Sequence, residues 1–130
     1  MADKILIVDD DPAICKLLEK VMHSNELETT TVNCGMDALS ILKNHTFDLI
    51  LMDIQMPHMN GYQVAEAIRK LLDDRARTPI IAMTANAFEE DHKATLAAGM
   101  DAYVAKPIEI DTLFSTITQV LENKITINKS

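Results

Sequence analysis

The chain has 130 residues, 48% hydrophobic and 25% charged, the balance of one soluble globular domain rather than two. Lys and Arg total 12 against 20 Asp and Glu, a net charge of −8; with no Trp, this argues against nucleic-acid binding and against direct contact with anionic membranes. No apolar run approaches the roughly 18 residues of a membrane span, Met-Ala-Asp-Lys does not read as a secretory leader, and Cys15 and Cys34 suit a reduced, cytoplasmic chain with inert thiols.

In chain order, apolar runs alternate with helical patterns. Lys4 to Val8 (KILIV) suits a strand buried on both faces. Asp11-Pro12 then supplies a helix N-cap and a proline at the first helical position. Ile14, Leu17, Leu18, Val21 and Met22 fall on one helical face. Glu28 to Val32 (ETTTV) reads as a more polar strand nearer an edge, and Met36 to Lys43 as a short helix after Gly35. Phe47 to Met52 is a second strongly apolar strand. The helix after Asn60-Gly61 carries Val64, Ile68, Leu71 and Leu72 on one face. Pro79 to Met83 is another buried strand, and Phe88 to Ala98 a helix closed by Gly99. Ala102 to Ala105 is a last short strand. Ile110, Leu113, Phe114, Ile117 and Leu121 mark the final helix. This alternation predicts an α/β fold, a doubly wound five-stranded parallel sheet, over residues 1–122, with a polar, frayed tail at 123–130.

Such sheets place their chemistry beyond the carboxyl ends of the strands. The first strand ends in Asp9, Asp10 and Asp11, the third in Asp53, the fourth in Thr84 and the fifth in Lys106-Pro107. If the first and third strands are neighbours, their carboxylates converge and raise one another's pKa values. A hard divalent cation resolves the repulsion, and carboxylates with water suit Mg²⁺. Lys106 offers a point charge and Thr84 a hydroxyl, both partners of a phosphoryl group. One of the aspartates could then be a nucleophile that forms an acyl phosphate.

Ile5-Leu6-Ile7-Val8-Asp9-Asp10-Asp11-Pro12, Leu51-Met52-Asp53-Ile54-Gln55-Met56-Pro57, Met59-Asn60-Gly61, Met83-Thr84-Ala85 and Ala105-Lys106-Pro107 together resemble the receiver domain of two-component response regulators. The resemblance spans Lys4 to Leu121. It implies a flavodoxin-like (βα)5 fold with strand order 2-1-3-4-5. It also implies that Asp53 accepts a phosphoryl group from a phosphohistidine and that Mg²⁺ is the cofactor. By the same resemblance Asp10 binds the metal directly, Asp9 directly or through water, and Asp53 and the Gln55 backbone carbonyl complete the ligands. Thr84 and Lys106 would hold the phosphoryl oxygens, Tyr103 would be the switch aromatic, and the Lys106-Pro107 bond would be cis. The implied partner is a histidine kinase or a histidine phosphotransfer domain, and the implied state a monomer or weak dimer. Met83 to Phe88 and Ala98 to Tyr103 look most like receivers of hybrid sensor histidine kinases; a stand-alone response regulator is the alternative. Gln55 and Asn86 flank the site and are expected to tune the phosphoryl lifetime.

Other residues have simpler readings. Asp11 is a helix cap. His23, His45, His58 and His92 lack ligand spacing and read as exposed. Met52, Met56, Met59 and Met83 read as core or gap-filling residues, and Glu89, Glu90 and Asp91 favour a helix N-terminus. Among rival functions, an FMN module needs a phosphate-cradling loop where three aspartates stand. A haloacid-dehalogenase-type phosphatase would carry its nucleophile on the first strand. No nucleotide loop of the GxxxxGK[ST] type is present. A receiver-like domain that is never phosphorylated would not need the whole set of site residues.

Overall fold

The computed structural model describes residues 3–85 and 89–129, with side chains over 3–85 and 93–122. Its elements alternate in chain order: β1 (Lys4–Val8), α1 (Pro12–Ser24), β2 (Glu28–Val32), α2 (Gly35–Leu42), β3 (Leu49–Asp53), α3 (Gly61–Arg69), a 3₁₀ turn (Asp74–Arg77), β4 (Ile80–Thr84), α4 (Glu89–Ala97), β5 (Ala102–Ala105) and α5 (Ile110–Lys129). The five strands form one parallel sheet in the order β2-β1-β3-β4-β5. The direction of winding reverses between β1 and β3, so a crevice opens at their carboxyl ends.

Burial follows strand composition. Ile5 to Val8 and the whole of β3 and β4 are buried, whereas ETTTV in β2 is half-exposed at the sheet edge. Because strand side chains alternate between faces, the sheet divides the core in two. Leu6, Val8, Ile50 and Met52 pack with Ala38, Val64 and Ile68 on one side. Ile5, Ile7, Leu49 and Leu51 pack with Leu18, Met22, Leu113 and Ile117 on the other.

Several boundaries differ from the expected ones. β3 starts at Leu49 rather than Phe47 and reaches Asp53, and β4 reaches Thr84, so both reactive residues end a strand. In α1 the buried seam is Cys15, Leu18 and Met22; Leu17 lies off it, 50% exposed. α3 stops at Arg69 with Lys70 as its C-cap, so the helical period no longer governs Leu72, which is fully exposed. The segment 123–129, expected to fray, continues α5, since no Gly or Pro interrupts it.

Local chemistry sets the helix starts. The Asp11 carboxylate accepts the Ala13 N–H at 2.9 Å, its expected cap role. Asn60 and Gln63 form a reciprocal capping box that starts α3 just after the loop from β3. Gly61 lets that loop close tightly, since a Cβ there would lie 2.5 Å from the Asp53 carbonyl oxygen. Gly99 ends the α4 turn at φ +88°, a conformation open to glycine.

Candidate functional site

The strand registers bring the distant chemical groups together. Val8 pairs with Met52, so the residues after β1 sit beside Asp53 at the end of β3. Asp53 is opposite Met83, and Thr84 is opposite Ala105, the residue before Lys106. The Lys106 N–H donates to the Thr84 carbonyl at 2.7 Å, extending that ladder by one residue. The Lys106-Pro107 bond is cis.

Asp9 is fully buried and Asp53 is 2% exposed, whereas Asp10 faces solvent. One carboxylate oxygen from each lies within 4.8 Å of the other two. Asp9 is held firmly: the Asp11 N–H donates to its Oδ1 at 2.9 Å, and Lys106 Nζ to its Oδ2 at 3.1 Å. Lys106 Nζ also pairs with Asp53 Oδ1 at 3.2 Å, and the Gln55 backbone N–H donates to the same oxygen at 3.1 Å. Asp53 Oδ2 has no hydrogen bond among the described residues.

Burial and the charges gathered here move the titrations of Asp53 and Lys106. Burial, followed by the charge of Asp9, pushes the Asp53 carboxyl up to about 6, against the pull of Lys106. Burial works against the charge on Lys106, but Asp9 and Asp53 outweigh it and its pKa lies above the ordinary value. Burial and neighbouring carboxylates push the Cys15 thiol up to about 11, so it is inert at neutral pH.

Of the remaining expectations, Thr84 is buried at the end of β4, and Tyr103 is half-buried, packed against the α3 side of the core. The Gln55 side chain is exposed beside the site, while Asn86 lies outside the described residues. Met52, Met56 and Met83 are buried and Met59 half-buried. His23, His45 and His58 are exposed; the His92 side chain lies outside the described residues.

Three buried or crowded carboxylates and one lysine in a single crevice, with a threonine ending the adjacent strand, suit a hard cation and a phosphoryl group together. A family model, the response regulator receiver domain, matches residues 5–118. The chain belongs to the response regulator receiver family. It is a signalling module of His-to-Asp phosphorelays, and Asp9, Asp10 and Asp53 form its acidic site for phosphorylation and Mg²⁺. It is 37% identical over 118 residues to the sensor histidine kinase RcsC of Escherichia coli (strain K12), a match that covers 91% of this chain and 12% of RcsC. Its fold is similar to the receiver domain of the sensor histidine kinase PA1611 from Pseudomonas aeruginosa, solved with a magnesium ion in its active-site cleft. That likeness has a TM-score of 0.85 and 33% identity, and covers 94% of this chain and 99% of that one. A CheY-like receiver domain protein from Methanospirillum hungatei is similar at a TM-score of 0.88 and 31% identity, covering 97% of this chain and 98% of that one. No helix among the described residues of this receiver is long and apolar enough to cross a membrane.

Two structural groups escape a reading of the sequence, one at the amino ends of β4 and β5, opposite the site, and one beside the site. Arg69, at the end of α3, donates to the carbonyls of Gly99, Ala76 and Thr78 and to the Asp101 carboxylate, at 2.7 to 3.0 Å. Nothing local in the sequence announces these contacts, which cross up to 32 positions. The second is Asn33, whose amide donates to the Asp9 carbonyl at 3.1 Å. Its signal was available, because Asn33 directly follows β2 at the same sheet end as the other site residues.

Proposed function

We propose that Asp53 is the phosphoacceptor of this receiver. The observation that carries this reading is the Asp53 carboxylate at the end of β3, 3.2 Å from Lys106 and within 4.8 Å of the Asp9 and Asp10 carboxylates, with its Oδ2 unengaged among the described residues. An Asp53 oxygen attacks the phosphorus of a phosphohistidine in line. The O–P bond forms as the P–N bond breaks, and the imidazole leaves with a proton from solvent. The three carboxylates fit a hard cation: Asp10 would hold Mg²⁺ directly, Asp9 directly or through water, with Asp53 and the Gln55 carbonyl completing the protein ligands. When bound, Mg²⁺ supplies positive charge and orients phosphoryl oxygens. Lys106 exchanges one of its carboxylate contacts for a phosphoryl oxygen, and the Thr84 hydroxyl donates to another. The added charge draws Thr84 inward, and the space it vacates lets Tyr103 turn inward and repacks the surface of α4, β5 and α5. Gln55 and Asn86 tune hydrolysis by admitting or orienting water.

The receiver occupies residues 1–122, with 123–130 as an extension. It catalyses only its own phosphorylation and dephosphorylation. It works in the cytoplasm as a monomer or weak dimer, and its donor is a histidine kinase or a histidine phosphotransfer domain. The RcsC match favours a receiver of a hybrid sensor histidine kinase over a stand-alone regulator. Incubation with acetyl phosphate and Mg²⁺, read by intact mass, tests the assignment. One phosphoryl group is expected on the wild type, and none on Asp53→Asn or in EDTA. An unchanged mass for the wild type, or equal labelling of Asp53→Asn, would refute it.

A further inference from the structure

We propose that Asn33 is a positioning residue for the acidic pocket: by fixing the Asp9–Asp10 peptide plane it sets how tightly the pocket holds a divalent cation. This rests on the Mg²⁺ reading above. Asp9 follows the last residue of β1, and Pro12 opens α1, so the intervening peptides belong to neither element. They are tied down from β2. The Asp9 N–H donates to the Val32 carbonyl at 3.2 Å, and the Asn33 amide donates to the Asp9 carbonyl at 3.1 Å. From α1, the Cys15 thiol reaches the same carbonyl at 3.4 Å, a weaker donor. The Asn33 amide also approaches Cys15 Sγ at 3.8 Å, so all three groups form one cluster.

The Asp9 carbonyl and the Asp10 N–H belong to one rigid plane. Turning that plane swings the Asp10 side chain. The Asp9 carboxylate is already anchored by Asp11 and Lys106, whereas the exposed Asp10 carboxylate has no hydrogen bond among the described residues. The place from which it reaches a cation is therefore set by the backbone, which Asn33, with Cys15, holds there. The ordinary alternative role for Asn33 is capping α2. However, the N-cap is Cys34, with no side-chain hydrogen bond, and the Asn33 amide points to Asp9 instead. Groups that orient metal ligands in this way commonly change affinity by about tenfold or more.

The test is Mg²⁺ titration of ¹⁵N-labelled protein by NMR, with wild type, Asn33→Ala, Asn33→Ser and Asp10→Asn, each also denatured in urea. Asn33→Ala is expected to bind Mg²⁺ about tenfold more weakly than wild type. It should also displace the Asp10 amide signal in the metal-free protein, with the folded population intact at the titration temperature. Asn33→Ser, which keeps a shorter donor, should fall between the two, and replaces Asn33→Ala in the test if that variant does not fold. If wild type binds, Asp10→Asn does not, and both Asn33 variants match wild type, the positioning role is overturned while the metal site stands. If wild type does not bind, or Asp10→Asn binds equally well, the metal reading itself fails.

Discussion

Asp53→Asn should make the metal-free protein more stable. The Asp53 carboxyl moves from an ordinary value of 3.8 to about 6 on folding, because burial and Asp9 outweigh Lys106. The folded state therefore holds this proton more tightly than the unfolded chain does. Between about pH 4 and pH 6 the native state binds more protons, so stability falls as pH rises through that window, and the full penalty persists above it. A shift of about two units corresponds to about 3 kcal/mol at most. Asparagine removes the charge but keeps an oxygen to accept the Gln55 N–H, so about 1–3 kcal/mol of stabilisation is expected at pH 8 in EDTA. Paired urea titrations by circular dichroism at pH 8 and pH 4 measure it, since other titrating groups cancel between the two proteins. The gap should shrink at pH 4. It should also narrow at pH 8 when Mg²⁺ is added, because binding stabilises the wild type by mass action. An Asp53→Asn protein no more stable than wild type at pH 8 without metal would refute the account of a strained carboxylate.

Lys106→Met leaves Asp9 and Asp53 without their shared cation. Metal-free stability should fall by about 1–3 kcal/mol, the range for hydrogen bonds to charged groups, while Mg²⁺ binds more tightly because a competing positive charge is gone; weaker Mg²⁺ binding in calorimetry would contradict this. Arg69→Ala removes donors to three carbonyls and a carboxylate. It should cost about 2–4 kcal/mol in urea denaturation and leave the rate of labelling by acetyl phosphate unchanged, and Arg69→Lys should not restore stability because lysine lacks the planar fork. Alkylation by iodoacetamide at pH 8 should modify Cys34 before Cys15, whose thiol is buried and raised to about 11; peptide mapping that finds Cys15 modified first would show that the α1 seam opens readily.

What was legible in the sequence was whatever local pattern encodes. KILIV and PIIAM announce buried strands because their apolar residues are continuous, and Asp11-Pro12 announces a helix start because capping is a contact between near neighbours. The ordered motifs then placed Asp9, Asp10, Asp53, Thr84 and Lys106 at strand ends, and the registers bring those ends together. Leu17 and Leu72 were misplaced because periodicity shows that a face is apolar but fixes neither the seam that packs nor the residue where the helix stops. The ties made by Arg69 and Asn33 are harder to read for a different reason, although the place of Asn33 just after β2 marks its sheet end. Each links segments far apart in sequence through a side chain whose type alone fits an exposed surface equally well.

The same contrast identifies where the chain departs from what stability alone would favour. An interior selected for stability would not bring two nearly inaccessible carboxylates to one lysine, with a third carboxylate at the rim. The surrounding structure imposes that arrangement. Gly61 lets α3 start against the Asp53 backbone, Asp11 and Lys106 fix both oxygens of Asp9, and Gln55 leaves Asp53 Oδ2 as its unengaged oxygen among the described residues. The resulting excess of negative charge has two chemical remedies, a proton or a cation. Near neutral pH, with the Asp53 carboxyl at about 6, the proton is mostly gone and a divalent cation is the stronger remedy. The strain in the resting crevice thus favours metal entry, and Lys106, relieved of part of its duty to Asp9 and Asp53, becomes available to a phosphoryl oxygen.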